Sequence, residues 1–519
     1  MEIPKEIESV SKKIAEAGFE SYLVGGCVRD YLLDKKPKDW DFTTNAKPEE
    51  ILKIFPDSVY ENQFGTVGVK TRSENSATAL VEVTTFRKEG KYTDKRHPDE
   101  ITFAKTVEED LSRRDFTVNA IAIELTSDHR QGGAGKRQAT SNKTRAHVAT
   151  PMSLIDPFGG QKDLEKKIIR AVGNADERFK EDALRLMRAV RFSAQLGFEI
   201  EKDTASAAEK NAGLLEFIAK ERIAEELSKL LMTENAADGI RRMSKLGLLK
   251  YVVPELEEGV EMEQNKHHIY TVFEHNVRAL DYAAQQNFPL ELRIASLLHD
   301  VGKPRTRVFK SDSRGAKTYR GKKGDWTFYQ HQYAGEKMAV EILDRLKFPK
   351  KMIEEIALLV REHMFVYDPE LVTEKGVRRL VNRVGPENID NLFSVREADR
   401  IGSGVAKAVP YRLRHLKAMI EKVKKDPISV KMLKVNGNDV IKELKIEPGP
   451  KVGQILSILL EETLDNPKLN EKEKLIKKIH ELNKFSEKEL QKMMAAAKKK
   501  AANVQKRIDE EVMKKYFVK

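Results

Sequence analysis

The sequence predicts an α+β fold in which a small mixed α/β head leads into an all-α neck, a second helical domain and a helical tail. Two observations carry this. Up to about residue 125, short apolar runs at 21–24, 66–70, 79–84 and 118–124 alternate with amphipathic stretches, as strands interleaved with helices would. From Leu164 onward the apolar spacing is helical almost to the C-terminus, interrupted by Pro254, by a polar insertion over 310–325 and by Pro448-Gly449-Pro450. At 519 residues the chain is too long for one core and divides into about three or four domains. We place the head at 1–155, the neck at 156–255, the second helical domain at 256–405 and the tail at 406–519. Within the head, an insertion at 126–152 is so rich in Gly, Ser, Thr, Asn and basic residues that it reads as a mobile loop.

Composition narrows the class of partner. The chain has 94 Lys and Arg against 82 Asp and Glu, a net charge of +12, which favours a polyanion, nucleic acid first. Cys27 is the only cysteine, so no internal disulfide can form and a reducing compartment is expected. Cys27 itself reads as a small buried filler. No apolar run approaches a membrane span and the first residues are charged, so a cytoplasmic protein without a membrane partner is expected. Oligomeric state stays open.

In the head, Gly25-Gly26-Cys27-Val28-Arg29-Asp30 is followed by Asp39-Trp40-Asp41. A glycine pair lets backbone amides approach a phosphate, and carboxylates two apart on a strand face the same way and share divalent ions. Together they suit a nucleoside triphosphate with Mg2+, the chemistry of a nucleotidyltransferase head. Arg29 is either a phosphate ligand or an ion-pair partner of Asp30. Glu82 lies in the apolar run Leu80-Val81-Glu82-Val83, where a carboxylate is costly to bury unless it pairs or meets a metal, so it is the candidate third acid. The segment 86–96 reads as a flexible basic loop, and Arg113-Arg114 offers two guanidiniums for bidentate phosphate contacts.

In the neck, 181–192 has helical periodicity, which makes Asp182 and Arg185, three apart, neighbours on one helix face. The plain reading is an intrahelical ion pair. The chemical reading is sharper: a carboxylate accepting from an exocyclic amino group beside a guanidinium donating to a ring nitrogen fits cytosine and adenine, and leaves unpaired groups against uracil and guanine. Arg188 and Arg191 extend the basic side toward a triphosphate or a base, and Phe192 is expected in the core.

Taken in order, Gly-Gly-x-Val-Arg-Asp, Asp-x-Asp, Arg-Arg-Asp-Phe-Thr-x-Asn-Ala, Asp-Pro-Phe-Gly-Gly and Glu-Asp-Ala-Leu-Arg-x-x-Arg-Ala-x-Arg-Phe resemble the bacterial class II tRNA nucleotidyltransferases and their poly(A) polymerase relatives, over about residues 20–255. The resemblance implies untemplated addition of C, C and A to the 3′ end of tRNA from CTP and ATP. It implies Gly26 and Arg29 (with Gly25 beside them) at the nucleotide, Mg2+ on Asp39 and Asp41, and Arg113 or Arg114 with Asp182, Arg185, Arg188 and Arg191 binding CTP and ATP. It also implies that the loop 87–96 adjusts the pocket between nucleotides. The insertion at 126–152 departs from the pattern.

The second helical domain carries His275, His299-Asp300-Val301-Gly302-Lys303, His331, His363 and Asp399. His and Asp at helix-scale intervals suit a divalent metal. The set resembles the HD phosphohydrolase superfamily over about 265–400, which implies one metal of unknown identity on His275, His299, Asp300 and Asp399. His331 and His363 are then available for a second metal or a substrate phosphate, with Lys303 on phosphate. His267-His268 reads as surface. The segment 433–460 resembles the tail of HD-containing members of the same tRNA enzymes, with Gly-bounded turns and lysines for the tRNA backbone. The basic segment 485–519 is either a solvated helix or an RNA-gripping arm. Two alternatives remain at this stage: a poly(A) polymerase or partial A- or CC-adding enzyme, and an HD phosphohydrolase whose head only docks RNA.

Overall fold

The computed structural model describes residues 2–62, 65–89, 101–125, 152–264, 269–311, 317–319, 322–365, 367–424 and 430–518. The expected loop at 126–151, the greater part of the 86–96 loop and His267-His268 lie outside them.

The head is built on a seven-stranded mixed sheet of β1 (Ser21–Val24), β2 (Asp41–Thr44), β3 (Val59–Asn62), β4 (Thr66–Lys70), β5 (Leu80–Thr85), β8 (Ala122–Leu125) and β9 (Met152–Ile155), in the order β3-β4-β5-β2-β1-β8-β9. A separate pair, β6 (Arg87–Glu89) and β7 (Ile101–Phe103), makes a small antiparallel ribbon. Side chains alternate across a strand, and β1 uses both faces. Leu23 joins a core with Ile7, Ile14, Phe42, Val83 and Phe116, while Tyr22 and Val24 join a second core with Phe86 and Leu111 on the other face. All pairings in this sheet are antiparallel except β2 with β5, which sets Asp41 opposite Glu82 and Phe42 opposite Val83.

Three departures from the sequence reading arise in the head. Residues 118–124 are strand only from Ala122, because Thr117–Asn119 form a 3-10 turn. Asp39 lies in the bend before β2, so the Asp-x-Asp pair does not share one strand. Buried Trp40 still fixes the alternation that turns both neighbouring carboxylates away from the core. Glu82 is exposed between buried Val81 and Val83, so its strand presents it outward instead of burying it.

Helices dominate after the head, but not everywhere. β10 (Ile168–Ile169) and β11 (Glu199–Ile200) form a short parallel pair beside the helix Leu184–Leu196. The polar insertion at 310–325 is largely strand where it is described: β12 (Val308–Ser311), β13 (Lys317–Tyr319) and β14 (Lys322–Thr327) make a three-stranded antiparallel sheet. Phe309 meets Trp326 edge to face at 5.2 Å and Arg307 covers Trp326 at 3.7 Å, contacts that hold β12 on β14.

The chain divides into two compact units, residues Met1–His363 with Ser394–Val405, and Met364–Phe393 with Ala406–Lys519. The first contains the head, the neck helices and five helices of the second helical domain: Val272–Gln285, Leu290–Leu298, His331–Arg345, Lys350–Glu362 and the later part of Ile389–Gly402. The second unit packs Val440, Ile455, Leu459, Leu475, Ile479 and Leu490 into one core. Asn436 caps its helix Gly437–Leu444 in a reciprocal box with Asp439, and the helix Pro450–Asp465 begins at Gly449-Pro450, so both Gly-bounded turns open helices. The segment after 485 is one long helix, Glu487–Lys515, with Lys498 and Lys499 exposed.

Candidate active site

A cavity of about 660 Å³ opens between the sheet of the head and the neck helices. Its sheet-side wall carries Asp39, Asp41 and Glu82, with Gly25 and Gly26 beside them. Gly25 adopts φ 78°, and a Cβ there would stand 3.0 Å from Arg114 Nη1 and 3.8 Å from Asp41 Oδ2, so glycine keeps this corner open. Burial first, then Asp39 and Glu82, push the Asp41 carboxyl up to about 7, with Arg114 pulling the other way. Carboxylates that repel one another on an open wall have the donor set a hard divalent cation requires, and Asp39, Asp41 and Glu82 fit that group. Cys27, fully buried behind the glycines, donates to the Val24 carbonyl at 3.1 Å, and burial pushes its thiol up to about 12, in keeping with a filler.

The rest of the lining is strongly cationic. Arg29, Arg113, Arg114, Arg185, Arg188 and Arg191 all line the cavity. Of the two readings the sequence left open for Arg29, the ion pair with Asp30 is formed, at 2.7 Å; the guanidinium also lines the cavity and donates to Asn119 Oδ1 at 2.9 Å. Arg113 and Arg114 share fully buried Asp110, at 2.9 and 3.5 Å. Arg188 pairs with Asp115 at 2.6 Å and Arg191 with Glu226 at 2.6 Å. Burial acts to raise the Asp115 carboxyl, but Arg188, Arg185 and the Asn119 amide outweigh it and hold it at about 2. Asn119 also donates to Asp115 at 3.2 Å, so a continuous polar chain runs from Arg29 through Asn119 and Asp115 to Arg188. Phe192 is buried as expected, and its ring additionally lies under Arg191 at 4.0 Å, Arg188 at 5.1 Å and Arg29 at 5.5 Å.

The Asp182 and Arg185 pairing is corrected. The helix ends at Glu181 and a new one begins at Leu184, with Asp182 in extended backbone (φ −136°, ψ 103°) between them. Asp182 Oδ1 accepts from the Leu184 amide at 3.0 Å, so its side chain caps the second helix instead of lying on its face. Its ion-pair partner is Arg222, at 2.9 Å. Arg185 binds Glu181 Oε2 at 2.6 Å and the carbonyls of Arg178 and Arg113 at 3.2 and 3.0 Å. Both Asp182 and Arg185 nevertheless line the cavity. Asp115 and Asn119 stand in the Arg-Arg-Asp-Phe-Thr-x-Asn-Ala motif but were given no role from the sequence, and Arg222 and Glu226 were not singled out; their signal there is their i, i+4 spacing on one helix.

A second constellation forms in the HD region. His275, His299, Asp300 and Asp399 bring ligand atoms within 4.8 Å of one another, and Asp300, His331 and His363 form a second such group. All six are buried. His275 Nε2 lies 3.0 Å from Asp300 Oδ2 and 3.4 Å from Asp399 Oδ1, and His331 Nε2 lies 3.1 Å from Asp300 Oδ1. His299, His331 and His363 each place Nδ1 on a backbone carbonyl, at 2.8, 2.7 and 2.6 Å, which turns every Nε2 toward Asp300. Lys303 Nζ sits 2.5 Å from Asp300 and 2.6 Å from Gln264 Oε1. Burial acts to lower His299, yet Asp300 and Asp399 carry it up to about 10, while both carboxyls are held well below the usual range. Nitrogen and oxygen donors at this spacing fit a divalent metal. Gly302 lets the chain pass this close, since a Cβ would stand 2.3 Å from the His331 carbonyl.

Three family models match the chain. Residues 21–170 match the poly A polymerase head domain, 197–259 match the model described as "Probable RNA and SrmB- binding site of polymerase A", and 267–403 match the HD domain. A CCA-adding enzyme of Geobacillus stearothermophilus is 30% identical over 492 residues, 93% of this chain and 98% of that protein. The chain belongs to the CCA-adding enzyme family. A CCA-adding enzyme of Geobacillus thermodenitrificans is 42% identical over 251 residues, 48% of this chain and 55% of its own length. In this and similar matches the chain spans about half the length of the curated relatives. The crystal structure of a Bacillus stearothermophilus CCA-adding enzyme in complex with CTP has a TM-score of 0.56 at 28% identity, covering 92% of this chain and 97% of that one. A Thermotoga maritima CCA-adding enzyme complexed with tRNA shares the fold, with a TM-score of 0.52 at 22% identity over 92% of this chain and 96% of that one. No helix among the described residues is long and apolar enough to cross a membrane.

Proposed function

We propose that this chain adds or repairs the 3′-terminal CCA of tRNA from CTP and ATP, without a nucleic-acid template, in the cytoplasm. The observation that supports the reading is the cavity that brings Asp39, Asp41 and Glu82 together with eight arginines and Asp182. Asp39 and Asp41, with Glu82 beside them, would hold Mg2+, which when bound supplies activation of a 3′-hydroxyl and neutralisation of the triphosphate. Gly25 and Gly26 leave room for phosphate, and Arg29, Arg113 and Arg114 supply fixed positive charge beside it. Asp182 accepts from the exocyclic amino group of C or A, Arg185 donates to the ring nitrogen, and Arg188 and Arg191 hold the triphosphate or stack on the base.

The test is incubation of tRNA lacking its CCA end with CTP and ATP. We expect C, C and A in that order of position; long A tracts on unrelated RNA, or A without C, would instead favour the poly(A) or partial-addition alternatives. The buried HD constellation supports a second activity, hydrolysis of phosphate esters, with His275, His299, Asp300 and Asp399 as the metal site. His331 and His363 would serve a second metal or the substrate phosphate, and Lys303 would be positioned for phosphate. A divalent metal there would supply an activated water when bound. Release of inorganic phosphate that survives Asp39→Ala with Asp41→Ala but not His299→Ala with Asp300→Ala would separate the two centres.

A further inference from the structure

Arg222 lines the cavity, yet its partner there is not a phosphate-facing carboxylate but Asp182. The pairing is a fork. Nη2 lies 2.9 Å from Oδ2 and Nη1 lies 3.5 Å from Oδ1, so one guanidinium spans both oxygens. This matters because of where Asp182 stands. It sits in the extended link between two helices, and its carboxylate also accepts from the Leu184 amide at Oδ1, at 3.0 Å. A helix therefore does not set the plane of this carboxylate; Arg222 and one amide do. A carboxylate offers about four acceptor sites and these contacts use three, two of them on Oδ1, which leaves one on Oδ2 for a further donor.

The helix that supplies Arg222, Lys220–Leu231, also supplies buried Glu226 one turn later. Glu226 holds Arg191 at 2.6 Å and reaches Arg188 at 3.7 Å. One helix thus anchors the acceptor of the base-reading set through a cation and its neighbouring donors through an anion. We infer that Arg222 is a specificity-determining positioning residue, which sets the plane of the Asp182 carboxylate so that it accepts from the amino group of cytosine or adenine. The inference rests on the proposed role of Asp182 and goes beyond it by assigning what makes that role selective.

Arg222→Gln removes the fork and shortens the side chain while keeping it polar, and Arg222→Lys keeps the charge without the fork. Both are assayed for incorporation of CTP, ATP and UTP on tRNA lacking CCA, with circular dichroism confirming that each is folded. We expect kcat/KM for CTP and ATP to fall about ten- to a hundredfold in Arg222→Gln, as for loss of a hydrogen bond to a charged group, with UTP nearly unchanged. Arg222→Lys should recover part of the loss. If Arg222→Gln is folded and keeps the wild-type ratio of CTP to UTP, or loses all three nucleotides equally, the inference is wrong. A wild-type protein that shows no preference for CTP and ATP would instead overturn the functional reading itself, so the two failures are told apart in one experiment.

Discussion

Asp115 is the test of how the head and neck are held together. It is 8% exposed, pairs with Arg188 across the head–neck boundary, and accepts from Asn119. A carboxyl that ordinarily titrates near 3.8 is held at about 2. At about 1.4 kcal/mol per pH unit, this difference corresponds to about 2–3 kcal/mol of stability at neutral pH. Asp115→Asn keeps the shape and an acceptor for the Phe116 amide, now at 2.8 Å, but leaves Arg188 without its anion. The folded-state value is depressed, so the wild-type advantage is fully present above the unfolded carboxyl's range and is lost as pH falls from about 4 toward about 2. The assay is urea unfolding followed by Trp40 fluorescence in a Trp326→Phe background, which leaves the head's own tryptophan as reporter, since the chain has two. We expect Asp115→Asn to be less stable by about 2–3 kcal/mol at neutral pH and the gap to narrow below about pH 4. A gap under about 0.5 kcal/mol at neutral pH, or one that stays constant down to about pH 3, would refute the reasoning.

Three further outcomes are expected. Asp39→Ala with Asp41→Ala should abolish nucleotide incorporation while leaving the unfolding midpoint of the head unchanged or raised, because removing Asp39 and Asp41 relieves repulsion; rapid-quench incorporation and urea unfolding report the two effects. His299→Ala with Asp300→Ala should strip divalent metal from the purified protein, read by elemental analysis after gel filtration, and leave CTP incorporation near wild type. Gly302→Ala should destabilise the HD region by about 1–3 kcal/mol through overpacking against the His331 carbonyl, visible as a lower thermal midpoint that added divalent metal partly restores.

Residue chemistry was more legible in the sequence than backbone path. Strands β1 and β4 follow directly from apolar runs, and the six His and Asp residues of the HD region, which the structure brings together, stood out because His and Asp at helix-scale intervals have few other uses. Asp182 was misplaced for a physical reason. The i, i+3 rule holds only on an uninterrupted helix, and aspartate competes with that helix by capping the next one through its own side chain. Asp39 shows the same limit: alternation around Trp40 gave the direction of both carboxylates, but the strand begins at Asp41, two residues too late to contain the first. The β12–β14 sheet was hidden because lysines and glycine mask the alternation of Phe309 and Trp326. Arg222, Glu226 and Gln264 depend on long-range packing, which no local pattern records. Cys27 was legible outright, since a lone cysteine in an apolar setting has little else to be.

The position of Phe192 has a consequence for the folding chain. Its ring belongs to the same core as Phe42 and Phe116, while its other side supports Arg29, Arg188 and Arg191. The arginine wall is therefore assembled by the docking event that buries the ring. A chain whose neck helix has not yet seated lacks the surface that would choose between nucleotides, and equally lacks the one that would hold them.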